Sequence, residues 1–313
     1  MTTTAAPTPV VQRPMAGVLA ATTGVVLWGC LVPVAKKAQD VNGIVLGFHR
    51  LWIGAVAVLL VFYLTGGRLT WRTLRTSVWG GLTFGLDIIF FFSAIKLTTV
   101  ANATIMGALQ PTVLMYVGAR WFGEKVSGSL VGLTIIAIGG AGLVALGSAQ
   151  GSNDDWSLIG DLCALAALVS WSGYFVASKK ARETLGSLEY LAAFLVVATL
   201  LVLPVALLAP GPFDPGAEGW WVVLVVALLS GGVGHFLMNW AHPHIPLYLA
   251  SLLTLATPVM STTVAAIFLD EAVNATQLVG MTIVIGAVAL VVLRTERSTE
   301  VDSELLLEAE PPV

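Results

Sequence analysis

Charged residues are scarce in this chain of 313 residues, and their scarcity excludes an ordinary water-soluble fold. Asp, Glu, Lys and Arg together make up 11% of the residues, whereas 57% are hydrophobic. A soluble domain has roughly 25% charged residues, because its surface must be hydrated. With a mean hydropathy of +0.90, the composition indicates that lipid is the solvent for much of the chain.

Cysteine and net charge are equally sparse, which excludes further classes of protein. The two cysteines, Cys30 and Cys163, both lie in apolar stretches and make no disulfide framework. A net charge of −3 is too small to indicate a nucleic-acid partner. The sequence contains no GxxxxGK[ST] phosphate loop, which disfavours a pump driven by nucleotide hydrolysis. We expect no cofactor and no metal site.

Ten apolar stretches are long enough to cross a bilayer as helices, for which roughly 20 residues are needed. They cover residues 15–35, 43–65, 78–96, 98–118, 128–148, 157–178, 188–209, 219–241, 246–268 and 275–293. Lys96 separates the third stretch from the fourth. Pro243 and Pro246 separate the eighth from the ninth, because proline disfavours helix in the residue before it. The sequence therefore predicts an all-α integral membrane protein with ten transmembrane helices.

Polar tails and the distribution of positive charge predict the orientation. Residues 1–14 and the acidic residues 294–313 are both predicted to be disordered tails. With the N-terminus in the cytoplasm, Lys36, Lys37 and Lys96 lie outside. The inner side then holds Arg13, Arg68, Arg72, Arg75, Arg120, Lys125, Lys179, Lys180, Arg182, Arg294 and Arg297. This bias predicts that both tails are cytoplasmic in a protein of the inner (plasma) membrane.

The two halves of the chain share a sequence pattern. WGCLVPVAKKA at 28–38 aligns with WSGYFVASKKA at 171–181, and Pro111 and Glu124 match Pro258 and Glu271. Chance similarity explains matched alanines and valines but explains these spacings poorly. We interpret residues 15–149 and 156–293 as two repeats of five helices each. An odd number of helices inserts the second repeat upside down, so the sequence predicts a 5+5 inverted-topology repeat.

On these motifs the chain resembles the drug/metabolite transporter (DMT) superfamily, specifically its EamA-like members. The small-residue segments ANATIMGALQP at 101–111 and YLASLLTLATP at 248–258 strengthen the resemblance, which covers nearly all of residues 15–293. It implies a basket of ten helices around a central cavity. Helices one, three, four, six, eight and nine would line the cavity, with five and ten at the periphery.

Ionisable residues inside a span are costly and are therefore candidates for function. Asp87 follows Ser77 by ten residues, which places it about 15 Å deep, and Arg50 lies about 10 Å from the outer end of its helix. Two interpretations stay open. Asp87 and Arg50 form a structural ion pair, or Asp87 binds a proton or a cationic group of the substrate. His235 is a candidate proton relay, with a hydrogen-bonded structural histidine as the alternative.

Aromatic and amide side chains are candidates for lining the cavity. Trp28, Trp171 and Tyr174 lie on the first helix of each half, where they could stack on an organic substrate or a cation. Asn239 shares a helix face with His235. Ordinary helix packing and interfacial anchoring are the alternatives for the aromatic residues.

Three prolines are predicted to interrupt spans. Pro33, Pro111 and Pro258 each free a carbonyl group, and a broken helix that faces a cavity can offer such a group to a substrate. Gln110, beside Pro111, is the polar candidate next to a break. A simple packing kink is the alternative.

The favoured function is a secondary transporter that exports a small organic metabolite by alternating access of the two repeats. An amino acid, an amine and a drug-like compound all fit. The alternative is a membrane-embedded enzyme acting on a lipid or prenyl substrate, which would need clustered carboxylates. Asp87 is the only carboxylate predicted at the midplane, so we expect no enzyme. The predicted partners are a small molecule and the lipid bilayer, with proton coupling and a homodimer left open.

Overall fold

The structure is a computed structural model that describes residues 13–35, 41–148, 157–268 and 271–309. These residues form α-helices and one π-helical segment, with no β-strand among them. The helices are α1 (Pro14–Ala35), α2 (Gly43–Leu64), α3 (Trp71–Leu97), α4 (Val100–Ala108), α5 (Gln110–Trp121), α6 (Gly128–Ser148), α7 (Leu158–Ala181), α8 (Ser187–Leu208), α9 (Gly216–Val225), α10 (His235–Ala241), α11 (Leu247–Thr254), α12 (Ala256–Phe268) and α13 (Ala275–Ala309). The π-helical segment Val226–Gly234 joins α9 to α10.

Nine helical stretches in the described part of the chain are long and apolar enough to cross a membrane. They correspond to the predicted spans except the fourth. That span is divided into α4 with 9 residues and α5 with 12 residues, and neither is long enough alone. The all-α membrane fold is therefore confirmed, whereas the count of ten spans is not.

The divided helices lie next to two of the three predicted prolines. α4 ends before Leu109, and Pro111 is the second residue of α5, where its missing N–H leaves no hydrogen bond unmade. α11 likewise ends before Leu255, and Pro258 is the third residue of α12. Pro33 differs, because α1 continues past it to Ala35 and the proline lies in the last turn.

The helices pack in a pattern that repeats when the two halves are exchanged. α3 packs against α7 and α8, and correspondingly α1 and α2 pack against the π-helical segment that leads into α10. α1 contacts α12, as α7 contacts α4 and α5. α2 contacts α8, α5 contacts α11, and α6 contacts α13. One continuous hydrophobic core joins most of these elements.

α6 and α13 approach each other through glycine. A Cβ atom at Gly140 would lie 2.9 Å from the carbonyl oxygen of Gly280, so only glycine permits this backbone contact. The neighbouring Gly139 faces open space. Small residues commonly allow such close helix contacts in membranes, where packing rather than burial from water drives association.

Some predictions concern residues at the edges of the structure. α13 continues to Ala309, whereas the sequence predicted a disordered tail from residue 294. The segment is rich in Glu and Leu and has no proline before residue 311, so nothing in it stops a helix. Residues 1–12, with most of the predicted N-terminal tail, lie outside the described residues, as do Lys36 and Lys37.

Candidate functional site

A buried chain of hydrogen bonds connects α7 with α10. The Tyr174 hydroxyl donates to Asn239 Oδ1 at 2.8 Å and lies 3.2 Å from His235 Nδ1. Ser178, one turn after Tyr174, donates to the same Asn239 oxygen at 2.7 Å. The hydroxyl of Ser178 also lies 2.6 Å from His242 Nδ1. The structure therefore brings together three of the predicted site residues, Tyr174, His235 and Asn239.

The two repeat-related tryptophans meet beside this chain of hydrogen bonds. The rings of Trp28 and Trp171 are 5.7 Å apart and nearly perpendicular, and Trp28 lies 4.8 Å from the ring of His235. Trp171 stacks on Tyr174 at 5.2 Å. The Trp28 indole N–H donates to the main-chain oxygen of Ser230 at 3.1 Å. Both tryptophans are half-buried, so part of each ring faces accessible space.

Phe84 lies at the centre of these aromatic rings, and the sequence analysis missed it. Its ring is 4.7 Å from His235, 5.1 Å from Tyr174 and 6.0 Å from Trp171. An apolar residue in an apolar helix carries no signal that distinguishes it from lipid-facing neighbours. We call Trp28, Phe84, Trp171, Tyr174 and His235 the central cluster.

Arg50 and Asp87 both lie next to Phe84. The guanidinium carbon of Arg50 is 5.9 Å from the centre of the Phe84 ring. Asp87 follows Phe84 by three residues and so shares its face of α3. Among the residues that the structure describes, no ion pair within 4.0 Å joins Arg50 to Asp87. Both side chains are half-buried, and their charges are close enough to interact electrostatically.

The π-helical segment shapes this region through glycine. A Cβ atom at Gly234 would collide with the indole nitrogen of Trp28, so glycine is required for the close approach. Gly231 lies against the side-chain stem of Arg50. A π-helical turn shifts the register of the carbonyl groups, and such turns often occur at functional sites. Here the turn presents the Ser230 oxygen to Trp28.

Gln110 has its hydrogen-bond partner outside the central cluster. It is buried at the contact between α5 and α11, where its Oε1 accepts a long hydrogen bond of 3.5 Å from Thr254. Its Nε2 has no hydrogen-bond partner within the described ranges. The break beside Pro111 therefore turns Gln110 toward the second half of the chain.

A buried ion pair at one end of the bundle was also missed by the sequence analysis. Lys179 Nζ donates to Glu124 Oε1 at 2.6 Å and to the main-chain oxygen of Ile245 at 3.1 Å. The same Glu124 oxygen accepts from the main-chain N–H of Leu247 at 2.7 Å. The pair thus connects the loop after α5 with α7 and with the first residue of α11.

Two glycines position Glu124. Gly123 has a φ of +66°, a left-handed conformation that glycine adopts without strain and that turns the chain sharply after α5. The Glu124 carboxyl group then folds back against Gly118, where a Cβ atom would collide with it. The repeat motif held a usable signal, since Glu124 and Lys179 each have a counterpart in the other half.

The groups around the end of α10 are held in defined charge states. Burial, with the positive charges of Lys179 and Arg182, lowers the pKa of His242 to about 3, so its ring is neutral near pH 7. Burial lowers the pKa of Arg182 to about 10, and Arg182 stays charged. The Arg182 side chain donates to the main-chain oxygen of Asn239 at 3.1 Å.

A separate pocket of about 480 Å³ lies between α2, α8 and the start of α9. Its lining is mainly aromatic and consists of Phe48, His49, Trp52, Leu203, Leu207, Phe213, Asp214 and Trp220. His49 contacts the main-chain oxygen of Phe213 at 2.8 Å and accepts from the Trp52 indole at 2.9 Å. The pocket shares no residue with the central cluster. The described stretches hold no group of three or more His, Cys, Asp and Glu side chains that could bind a metal ion.

Both halves of the chain match the same family of known proteins. The sequence model of the EamA-like transporter family matches residues 15–146 and 158–293. The aromatic amino acid exporter YddG of Ancylobacter novellus is 27% identical over 288 residues, covering 88% of this chain and 96% of that exporter. A pseudopaline exporter of Pseudomonas aeruginosa is 24% identical, covering 50% of this chain and 54% of its own.

Another exporter and a solved structure are also similar to this chain. A probable terminal-alkyne amino-acid exporter of Streptantibioticus cattleyicolor is 29% identical over 140 residues, covering 44% of this chain and 43% of its own. One crystal structure has a TM-score of 0.77 and 23% identity, and covers 91% of this chain and 99% of that chain. At that identity the likeness shows the fold alone.

Proposed function

Since the chain belongs to the EamA-like transporter family, as its motifs predicted, we propose that it exports a small organic metabolite by alternating access of two inverted repeats. It is a multi-pass membrane protein whose relatives are transporters, which favours transport over catalysis on a lipid or prenyl substrate. The observation that carries the proposal is the meeting of Trp28 and Trp171. Equivalent residues of the two repeats form one half-buried aromatic surface, beside buried polar groups, at the contact between the halves.

The proposed substrate class is an amino acid or a related amine. Two of the relatives are named as exporters of aromatic amino acids and of pseudopaline, and a third is named as a probable exporter of terminal-alkyne amino acids. An aromatic surface suits an organic side chain, and ligand sites combine such surfaces with a few polar groups that fix orientation. The central cluster has one neighbouring Arg, which disfavours phosphorylated substrates because these require several cations.

The pairing of helices supports the proposed inverted repeat. When the halves are exchanged, α3 against α7 becomes α10 against α1, and α4 against α6 becomes α12 against α13; all four contacts are present. The divided helices α4–α5 and α11–α12 are also equivalent. We therefore propose that α4 and α5 together form the tenth span, and that the excess of inner Lys and Arg places both tails in the cytoplasm.

The Glu124–Lys179 pair supports alternating access. Lys179 and Glu124 match Lys36 and Glu271 in the repeat, and the inverted arrangement assigns those two residues to the opposite end of the bundle. We assign the Glu124–Lys179 pair to closing the cytoplasmic end. Lys36 and Glu271 are the residues that would close the outer end. Asp87, Arg50 and His235 remain the titratable candidates for proton coupling, and the homodimer stays a prediction.

The test is transport by purified protein in liposomes. Counterflow of radiolabelled phenylalanine, tryptophan, leucine and phenethylamine is measured for the wild type, for Trp171→Leu and for Trp79→Leu. Trp79 is 68% exposed on the outside of α3 and serves as the control. We expect counterflow that Trp171→Leu reduces and Trp79→Leu does not. Absence of counterflow for every compound, or conversion of a lipid by the wild type, would contradict the proposal.

A further inference from the structure

Arg50 and Asp87 have opposite charges that interact electrostatically but make no direct contact with each other. In the four described segments, neither side chain has a hydrogen bond, and no ion pair within 4.0 Å joins them. Arg50 lies seven residues inside α2 and Asp87 sixteen residues after the start of α3, so both are at membrane depth. A charged side chain at that depth is normally paired or faces a water-filled cavity. Both side chains are half-buried, so each retains accessible surface.

The two charged side chains lie beside the same aromatic ring, that of Phe84. The Arg50 guanidinium lies over the ring of Phe84, and Asp87 is on the same face of α3 one turn further along. The ring of Phe84 is 6.0 Å from that of Trp171, which in turn meets Trp28. A positive group, a negative group and a half-buried aromatic surface therefore lie around one place.

This arrangement favours one kind of ligand charge. A purely cationic ligand would leave Arg50 without an anion, and a purely anionic ligand would leave Asp87 without a cation. An unpaired charge in a low-dielectric environment is costly, so either outcome is disfavoured. A ligand that carries both charges on neighbouring atoms satisfies both groups and adds no net charge.

We infer that Arg50 and Asp87 together bind the charged head of a zwitterionic α-amino acid, with its apolar side chain against Trp28 and Trp171. Arg50 donates to the α-carboxylate, since a guanidinium matches a carboxylate with two parallel hydrogen bonds. Asp87 accepts from the α-ammonium group. The inference rests on the proposed transport function and adds the residues that select the substrate class.

The experiment compares each amino acid with analogues that lack one charge. Binding to purified protein is measured by calorimetry for phenylalanine, for phenethylamine, which lacks the carboxylate, and for 3-phenylpropionate, which lacks the ammonium group. Tryptophan and leucine are tested with their corresponding analogues. We expect the wild type to bind at least one amino acid about tenfold to a hundredfold more tightly than either of its analogues.

Single variants then identify which residue binds which charged group of the ligand. Arg50→Gln should weaken binding of the amino acid but not binding of the amine, so that the two affinities become equal. Asp87→Asn should weaken binding of the amino acid but not binding of the carboxylic acid. The conservative variants Arg50→Lys and Asp87→Glu test the same preferences if a neutral variant does not fold. Arg68→Gln and Asp214→Asn, at exposed positions, serve as charge controls.

The outcomes separate this inference from the transport proposal. If Arg50→Gln and Asp87→Asn weaken all three ligands equally, the two residues are structural and the inference is wrong. If the wild type transports neutral N-acetylphenylalanine amide in preference to phenylalanine, transport stands and the zwitterion site is refuted. If no compound moves across the membrane, the transport proposal itself fails.

Discussion

Replacing Glu124 with glutamine tests how strongly the ion pair with Lys179 stabilises the fold. Glutamine keeps the size of the side chain and an oxygen that can still accept from the Leu247 N–H. What it removes is the charge 2.6 Å from Lys179 Nζ. The Glu124 side chain is 7% exposed and the Lys179 side chain 16% exposed, so Lys179 would be left as a largely buried cation without its anion.

The expected loss in free energy of unfolding lies between two limits known from other proteins. Removing one partner from a fully buried pair costs about 3–5 kcal/mol, and removing one from an exposed pair costs about 0.2–1 kcal/mol. Partial exposure, and the remaining bond from Lys179 to Ile245, place the cost at about 2–3 kcal/mol. For a chain of this size that corresponds to a fall in melting temperature of about 3–5 °C.

Thermal unfolding in detergent, followed by intrinsic tryptophan fluorescence, measures this fall. Glu183→Gln is the matched control, because Glu183 is exposed in the turn that follows α7. The exchanged pair Glu124→Lys with Lys179→Glu should recover part of the loss, but not the hydrogen bond from Leu247. A melting temperature of Glu124→Gln within 1 °C of the wild type would refute the reasoning, since it would mean that water already screens the pair.

Three other substitutions have defined expectations. Gly140→Ala forces a Cβ atom against a backbone carbonyl of α13 and should lower the free energy of unfolding by about 2 kcal/mol, seen as a lower melting temperature. Gly139→Ala, in open space, should leave the melting temperature unchanged, and equal melting temperatures for the two variants would contradict the close helix contact. Because unfolded His242 takes up a proton near pH 6.5 and the folded side chain only near pH 3, stability should fall with decreasing pH below about 6.5 by up to about 1.4 kcal/mol per pH unit. His242→Asn should flatten melting curves recorded between pH 8 and pH 5, and an unchanged slope would show that His242 is hydrated. Gly234→Ala should displace the indole of α1 and lower the affinity for a transported ligand in calorimetry, while Gly286→Ala, with nothing near its Cβ position, should leave it unchanged.

The membrane fold, the repeat and the family could be predicted from the sequence because each depends on local properties. The length and apolar content of a segment decide whether it can cross a bilayer, and the observed helices follow the predicted spans with few differences. The matched motifs around Trp28 and Trp171 identified the equivalent helices, and the structure brings those two rings together. His235 and Asn239 were recognisable because polar side chains are rare and costly inside spans, and Tyr174 because it is an aromatic residue on the same helix as Trp171.

What the tertiary structure decided is which of these residues share a site. Phe84 is central only because helices from both halves turn their faces toward it, and an apolar side chain gives no sign of that rotation. Gln110 was predicted as a polar residue beside a helix break, and only the folded chain shows that its Oε1 lies against Thr254 of the other half. Glu124 and Lys179 are 55 positions apart, and their pairing depends on a left-handed glycine and on the docking of α11. Whether a segment can span the lipid depends only on its own length and polarity. The rotation and contacts of each helix are determined by its neighbours, which lie far away in the sequence.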